Sequence, residues 1–137
     1  MSATSKPLPR ITPDSQPFWD GCKAHRLMLP YCRDCQSPHL PAGPVCPFCF
    51  SDRLEWREAS GRGTISTWTV VHQPWFAAFR DDIPYNVVQI ELEEGPRLTA
   101  SIVGAANIAL RVGLAVRVTF EDVSDSITLP RFRLDID

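Results

Sequence analysis

Several features are scarce in this 137-residue chain, and each scarcity removes a class of function. No apolar run reaches the roughly 18 residues of a membrane-spanning helix. The opening residues, Met1 to Pro7, contain no apolar h-region, which argues against export and points to the cytoplasm. Lysine is nearly missing: 2 lysines stand against 12 arginines. The net charge of −2 is a poor basis for gripping a polyanion, although arginines can still build local patches suited to phosphate. There is no nucleophile elbow, no Ser-His-acid order, no glycine-rich phosphate cradle and no suggestive pair of carboxylates. Internal repeats and low-complexity tracts are also absent. With 44% hydrophobic and 22% charged residues, the chain is an ordinary globular one, long enough for one domain or two very small ones.

Cysteine is the exception. Cys32, Cys35, Cys46 and Cys49 read C-x2-C-x10-C-x2-C. Each CxxC sets two sulfurs on one tight knuckle, and two knuckles complete a tetrahedron of the kind Zn²⁺ takes in closed structural sites. Pro38, Pro41, Gly43 and Pro44 fill the spacer with turn residues, as one hairpin of a zinc ribbon requires. A rubredoxin-like iron site uses the same knuckles, and two disulfides would need an oxidising compartment. Four thiolates leave no open position for water, so the metal is expected to hold structure and perform no chemistry. His39 lies between the knuckles, but four cysteines already satisfy the ion.

In chain order, residues 1–25 read as a proline-bearing arm followed by a short helix. Thr12 or Asp14 is the expected cap, Pro17 is tolerated in the first turn, and Gly21 is a weak point. Phe18 and Trp19 are adjacent and diverge by about 100°, which leaves at least one of them for another surface. Cys22, outside both knuckles, reads as a small buried apolar residue. Residues 26–59 form the metal-stapled unit, with Leu27, Leu29 and Tyr31 alternating before the first knuckle and Leu54-Glu55-Trp56 after the second. Residues 60–137 are different in kind. The Ser60-Gly61-Arg62-Gly63 turn opens strands over 64–72, 85–92, 97–103, 115–120 and 127–134, the last an edge or bulged strand because of Pro130. A connector at 104–109 allows one helical turn, and the loop 73–83 carries Trp75, Phe76 and Phe79. Five short strands in about 75 residues suit an OB-like barrel, with an SH3-like barrel or a small sandwich as the alternatives. The fold class is therefore mainly β: N-terminal helix, rubredoxin-like zinc ribbon, five-stranded barrel.

The blocks Phe18-Trp19, Cys32-Arg33-Asp34-Cys35, Cys46-Pro47-Phe48-Cys49, Leu54-Glu55-Trp56, Ser60-Gly61-Arg62-Gly63-Thr64 and Pro84-Tyr85, in this order, resemble the DUF35 family of OB-fold proteins with a rubredoxin-like zinc ribbon. The resemblance runs from about Asp14 to Leu134. It implies a cytoplasmic accessory subunit in a hetero-oligomer with a thiolase-fold enzyme (a thiolase, acyltransferase or aldolase) that processes acyl-coenzyme A. The partner carries the nucleophilic chemistry, and the small chain scaffolds it and helps to hold the coenzyme A ester. No catalytic residue is implied here.

The residues themselves agree with that division of labour. Phe18, Trp19, Trp75, Phe76, Phe79 and Tyr85 are the expected contacts for the partner or the acyl-CoA, since large aromatics are typical interface anchors. A base role for His72 is outweighed by a barrel-rim one, and Glu93-Glu94 and Asp81-Asp82 read as solvated turns. The rival reading is a single-stranded nucleic-acid-binding OB module, with Trp68 and Trp75 stacking on bases and Arg62, Arg97, Arg117, Arg131 and Arg133 supplying charge. A free-standing hydrolase such as a thioesterase has no constellation to support it.

Overall fold

The structure is a computed structural model that describes residues 6–136. Helix α1 spans Gln16–Lys23. Its N-cap is Ser15, and no side-chain capping bond is made there. The expected side-chain cap from Thr12 or Asp14 is not made, and Thr12 and Ser15 instead clasp each other ahead of the first turn. The Thr12 N–H donates to Ser15 Oγ at 3.0 Å, and the Ser15 N–H donates to Thr12 Oγ1 at 3.2 Å. At the other end, His25 sits at φ 60°. The Arg26 N–H reaches Gly21 O at 2.8 Å and the His25 N–H reaches Cys22 O at 2.9 Å. This is a Schellman stop in which a histidine takes the left-handed position that glycine usually fills. Phe18, Gly21 and Cys22 form the buried stripe. Gly21 weakens the helix but has a packing reason. A Cβ there would stand 2.4 Å from Met28 Cγ, so only glycine lets the next strand come this close.

Strands β1 (Met28–Cys32), β2 (Ser37–Pro38) and β3 (Leu54–Glu58) make a small antiparallel sheet in the order β2-β1-β3. Its register sets Tyr31 opposite Glu55 and Cys32 opposite Leu54. The second sheet contains β4 (Arg62–Val71), β5 (Tyr85–Leu92), β6 (Arg97–Ala100), β7 (Ala115–Asp122) and β8 (Thr128–Leu134), in the order β6-β5-β4-β7-β8. Strand β4 spans 10 residues and bends at a bulge between Ile65 and Thr67. It pairs with β5 along its length and with β7 through residues 62–64. The sheet curls until its ends meet. Ile102 bridges Phe132 in parallel, with the Phe132 N–H donating to Ser101 O at 3.0 Å and the Val103 N–H to Phe132 O at 2.8 Å. This closure makes the five strands an OB-fold barrel and rules out the flat sandwich. The third barrel strand ends at Ala100, short of the expected Val103, and the next residues go into the closing bridge.

Inside the barrel lie Ile65, Val88, Ile90, Leu92, Ile102, Leu110, Val116 and Phe132, all buried, with period-2 alternation along β5. Phe18, Cys22, Leu27 and Leu29 join the same core from α1 and β1, so helix and barrel share one interior. The buried Asn86 ties the connector in. It donates to Ile102 O and to Asn107 Oδ1, both at 3.0 Å, and accepts from the Ile102 N–H at 2.7 Å. Asn107 begins the single 3-10 turn of the connector, Asn107–Ala109. Glu93 and Glu94 do more than the solvated turn expected of them. Glu94 accepts from the Ser60 N–H at 2.7 Å and Glu93 from Ser60 Oγ at 3.0 Å, so this pair clamps the Ser60-Gly61-Arg62-Gly63 turn where ribbon passes into barrel.

Candidate metal centre and partner surface

The two knuckles are built alike. Each CxxC is followed by a residue in the left-handed region, Gln36 at φ 57° and Phe50 at φ 64°. Within the second knuckle the Phe48 N–H approaches Cys46 Sγ at 3.4 Å. The hairpins place Cys32 Sγ 3.6 Å from Cys49 Sγ and Cys35 Sγ 3.6 Å from Cys46 Sγ, with all four sulfurs within 4.8 Å of one another. A disulfide would need about 2.05 Å. A zinc tetrahedron with Zn–S near 2.3 Å has sulfur–sulfur edges of about 3.8 Å. The observed spacing is that of ligands around an ion. The Cys35 backbone N–H brings the Cys32 thiol down to about 7, while partial desolvation pushes Cys35 up. Four thiols crowded together cannot all ionise unless a cation offsets their repulsion, and a divalent ion lets all four become thiolates. The donor set fits Zn²⁺ in a closed site.

Around this centre the chain has little else to bury. From Arg33 to Arg53 only His39 and Cys46 are buried. Asp34 organises the outer side, accepting from Arg53 Nη1 at 2.9 Å and from Ser51 Oγ. His39 is 2% exposed and neither ring nitrogen has a hydrogen-bond partner. Burial holds its pKa below 6.5, with the Ser37 backbone opposing. It is a neutral ring wedged between ribbon and barrel. Cys22, fully buried, has its thiol pushed up to about 12 by burial, as suits a small apolar filler.

The six aromatics expected at an interface divide into three groups. Trp75 and Phe76 are 76% and 61% exposed, at the start of the loop whose centre is a 3-10 turn, Ala77–Asp82. Phe79 and Tyr85 are half-buried and packed together at 5.7 Å between ring centres. Phe18, at 9% exposure, packs into the core, with Trp19 edge-on to it at 5.0 Å. Trp19 is the more open of the adjacent pair. It is half-buried and lines an apolar cleft of about 300 Å³ with Leu40, Trp56 and Leu98. Sequence reasoning passed over Phe48 and Phe50, 67% and 77% exposed on the second knuckle. Their signal was available, because a knuckle folded around sulfur has no interior for side chains that alternate with its ligands. His72 is exposed at the end of β4. Sequence reasoning also missed His25, which stacks on Phe120 at 5.2 Å and meets Asp122 at 3.3 Å.

A four-cysteine ribbon followed by an OB-fold barrel, with one helix ahead of both, defines a distinct class of small protein. Matches to known proteins agree with it: residues 19–55 match the rubredoxin-like zinc ribbon domain of ChsH2, and residues 56–121 match the C-terminal OB-fold domain of ChsH2. The chain belongs to the DUF35 family. A DUF35 domain-containing scaffold protein of Pyrococcus furiosus is 31% identical over 66% of this chain and 68% of its own length, and one from Methanothermobacter thermautotrophicus is 34% identical over 69% and 71%. A probable enoyl-CoA hydratase alpha subunit of Thermomonospora curvata is 34% identical over 93% of this chain, but the chain spans only 40% of that protein's length. Among solved structures, the Ltp2-ChsH2(DUF35) aldolase superposes with a TM-score of 0.86 at 33% identity, covering 94% of this chain and 100% of that one. No helix of the described residues is long and apolar enough to cross a membrane.

Proposed function

We propose that this chain is a non-catalytic subunit that scaffolds a thiolase-fold enzyme acting on acyl-coenzyme A, and that it helps to hold the acyl-CoA. In this reading Cys32, Cys35, Cys46 and Cys49 ligate one structural Zn²⁺, and the partner supplies the chemistry. The observation that carries it is the superposition, along nearly the whole chain, on a chain of the Ltp2-ChsH2(DUF35) aldolase. The exposed Trp75 and Phe76 and the half-buried Trp19 add support. Large rigid aromatics at low ordering cost are the residues that dominate protein interfaces. A rigid metal-stapled ribbon lowers the ordering cost further.

Co-expression with a thiolase-fold enzyme encoded beside the chain, followed by affinity capture, tests the proposal. A stable complex is expected. Trp75→Ala with Phe76→Ala should weaken it by about a thousandfold, from roughly 2 kcal/mol per anchor, while stability of the free chain moves by less than about 0.5 kcal/mol. The chain alone should turn over no acyl-CoA thioester, and His72→Ala should leave the activity of the complex within a few-fold. A loss of about 10² or more on His72→Ala would assign a base to this subunit and end the non-catalytic reading.

A further inference from the structure

The strand register brings three arginines into one line. Arg62 on β4 stands directly opposite Arg117 on β7, and Arg117 directly opposite Arg133 on β8. Their neighbours Val116 and Phe132 point the other way, into the barrel, and Arg62 shares the face of Arg117 through the register, so all three arginines project from its outer face. All three are exposed. Adjacent strands lie about 4.8 Å apart, so the row is about 10 Å wide. Directly opposed like charges on neighbouring strands destabilise a sheet, and here the opposition occurs twice in succession.

The surroundings only partly offset it. Asp135 meets Arg117 at 3.5 Å, and Glu121 meets Arg131, one rung further along β8, at 3.0 Å. Among the described residues no carboxylate lies within 4.0 Å of Arg62 or Arg133. Arg133 lies across Gly104, with Nη1 2.4 Å from where a Cβ would stand, so the missing side chain of Gly104 makes room for the guanidinium. Thr64 and Thr119 border the row with hydroxyls on the same face. A patch of this sign on a chain of net charge −2 is a local feature with no account in the fold.

We infer that the row Arg62–Arg117–Arg133 is a binding site for the diphosphate group of a small organic ligand. Guanidinium forks bind phosphate oxygens in pairs, and an anion laid across the strands removes the repulsion that the apo sheet carries. The row is one residue deep and flanked by Asp135 and Glu121, which favours a compact diphosphate over a long polyanion. Free nucleoside diphosphates and coenzyme A share this group. Binding requires neither the partner nor the metal centre. Failure of this site leaves the scaffold reading standing, and failure of the complex leaves this site standing.

The zinc-loaded chain should be titrated with inorganic pyrophosphate, ADP and coenzyme A at physiological salt, with heat and melting temperature as readouts. Pyrophosphate is expected to bind and to raise the melting temperature in proportion to ligand concentration over Kd. Arg62→Gln, Arg117→Gln and Arg133→Gln should each weaken binding by about tenfold or more, as loss of a charge-assisted bond predicts. Arg10→Gln, on the arm, should leave it unchanged. In phosphate-free buffer Arg117→Gln should melt no lower than the parent, because it relieves the stacked charges, and this separates lost binding from lost folding. Tighter binding of coenzyme A than of ADP identifies coenzyme A as the ligand, and equal binding identifies the nucleoside diphosphate alone. The proposal is overturned if millimolar pyrophosphate gives neither heat nor a melting shift, or if the triple variant binds as the parent does. It is equally overturned if only single-stranded nucleic acid binds, with a steep salt slope.

Discussion

The ribbon and the barrel are stabilised by opposite means. The barrel encloses eight large apolar side chains, and its strands alternate inward and outward as elementary burial demands. The ribbon between Arg33 and Arg53 buries one cysteine and one unpartnered histidine, and it turns Val45, Phe48 and Phe50 outward. A segment of that size cannot remove enough surface from water to fold by burial alone. Its interior is the sulfur cluster. Loss of metal should therefore disable one half of the molecule, and loss of a core side chain the other.

Metal removal is the strongest way to break the comparison. Apparent zinc binding in small ribbons is worth about 10–16 kcal/mol at pH 7, nearly all of it folding energy. Chelation, or Cys46→Ser, should abolish amide protection across residues 28–58 and spare β5. Hydrogen exchange followed by NMR reads both regions in one experiment. If β5 loses protection in step with the ribbon, the two halves are a single cooperative unit and the contrast fails. Elemental analysis of the parent should show one zinc per chain.

The converse lesion is Phe132→Ala. Phe132 is fully buried and its backbone closes the barrel against Ser101 and Val103. A cost of about 3–5 kcal/mol is expected from lost transfer and the cavity left behind. Thermal melting should drop sharply while the folded fraction keeps its zinc. Zinc lost in parallel with barrel order would show that the ribbon depends on the barrel.

A smaller effect is expected at the junction. Gly61 holds φ 82°, and a Cβ there would lie 2.7 Å from Val118 Cγ1. Gly61→Ala should cost on the order of 1–3 kcal/mol through backbone strain and the displaced valine. Denaturant midpoints measure it, and an unchanged midpoint would mean that the turn relaxes freely.

The smallest prediction sharpens the account of His39. Both its ring nitrogens are buried without partners, so an apolar ring-sized replacement removes a penalty of about 1 kcal/mol or more. The pH dependence has a definite sign. The folded-state pKa is depressed below 6.5, so above that value both states are neutral and the group contributes nothing. As pH falls below 6.5, the unfolded chain takes up a proton that the native ring resists, and the native state loses stability. Between pH 7.5 and 5.5 the parent should lose more stability than His39→Leu, measured by urea unfolding of the two at each pH. Metal loss on acidification affects both chains alike and cancels in the difference. Equal slopes would place the ring in contact with water.

Much of this architecture was legible in the chain because its rules are local. CxxC spacing dictates two knuckles whatever surrounds them, since the geometry is set by bonds within four residues. Alternation of Val88, Ile90 and Leu92 marks an inward face by the pleat alone. The Ser60-Gly61-Arg62-Gly63 turn announces itself through glycines that must take a left-handed or crowded position. What the sequence by itself determined was thus the metal ligand spacing and most of the barrel strands. Tertiary structure decided the rest, because each remaining feature depends on a neighbour distant in the chain. Phe18 turns inward because the barrel core extends up to the helix, and Glu93-Glu94 becomes a clamp because Ser60 folds back onto it. Barrel closure rests on Ile102 meeting Phe132, 30 positions away. Arg62, Arg117 and Arg133 form a row only through the register of three strands, and no local pattern in the chain specifies register across a barrel.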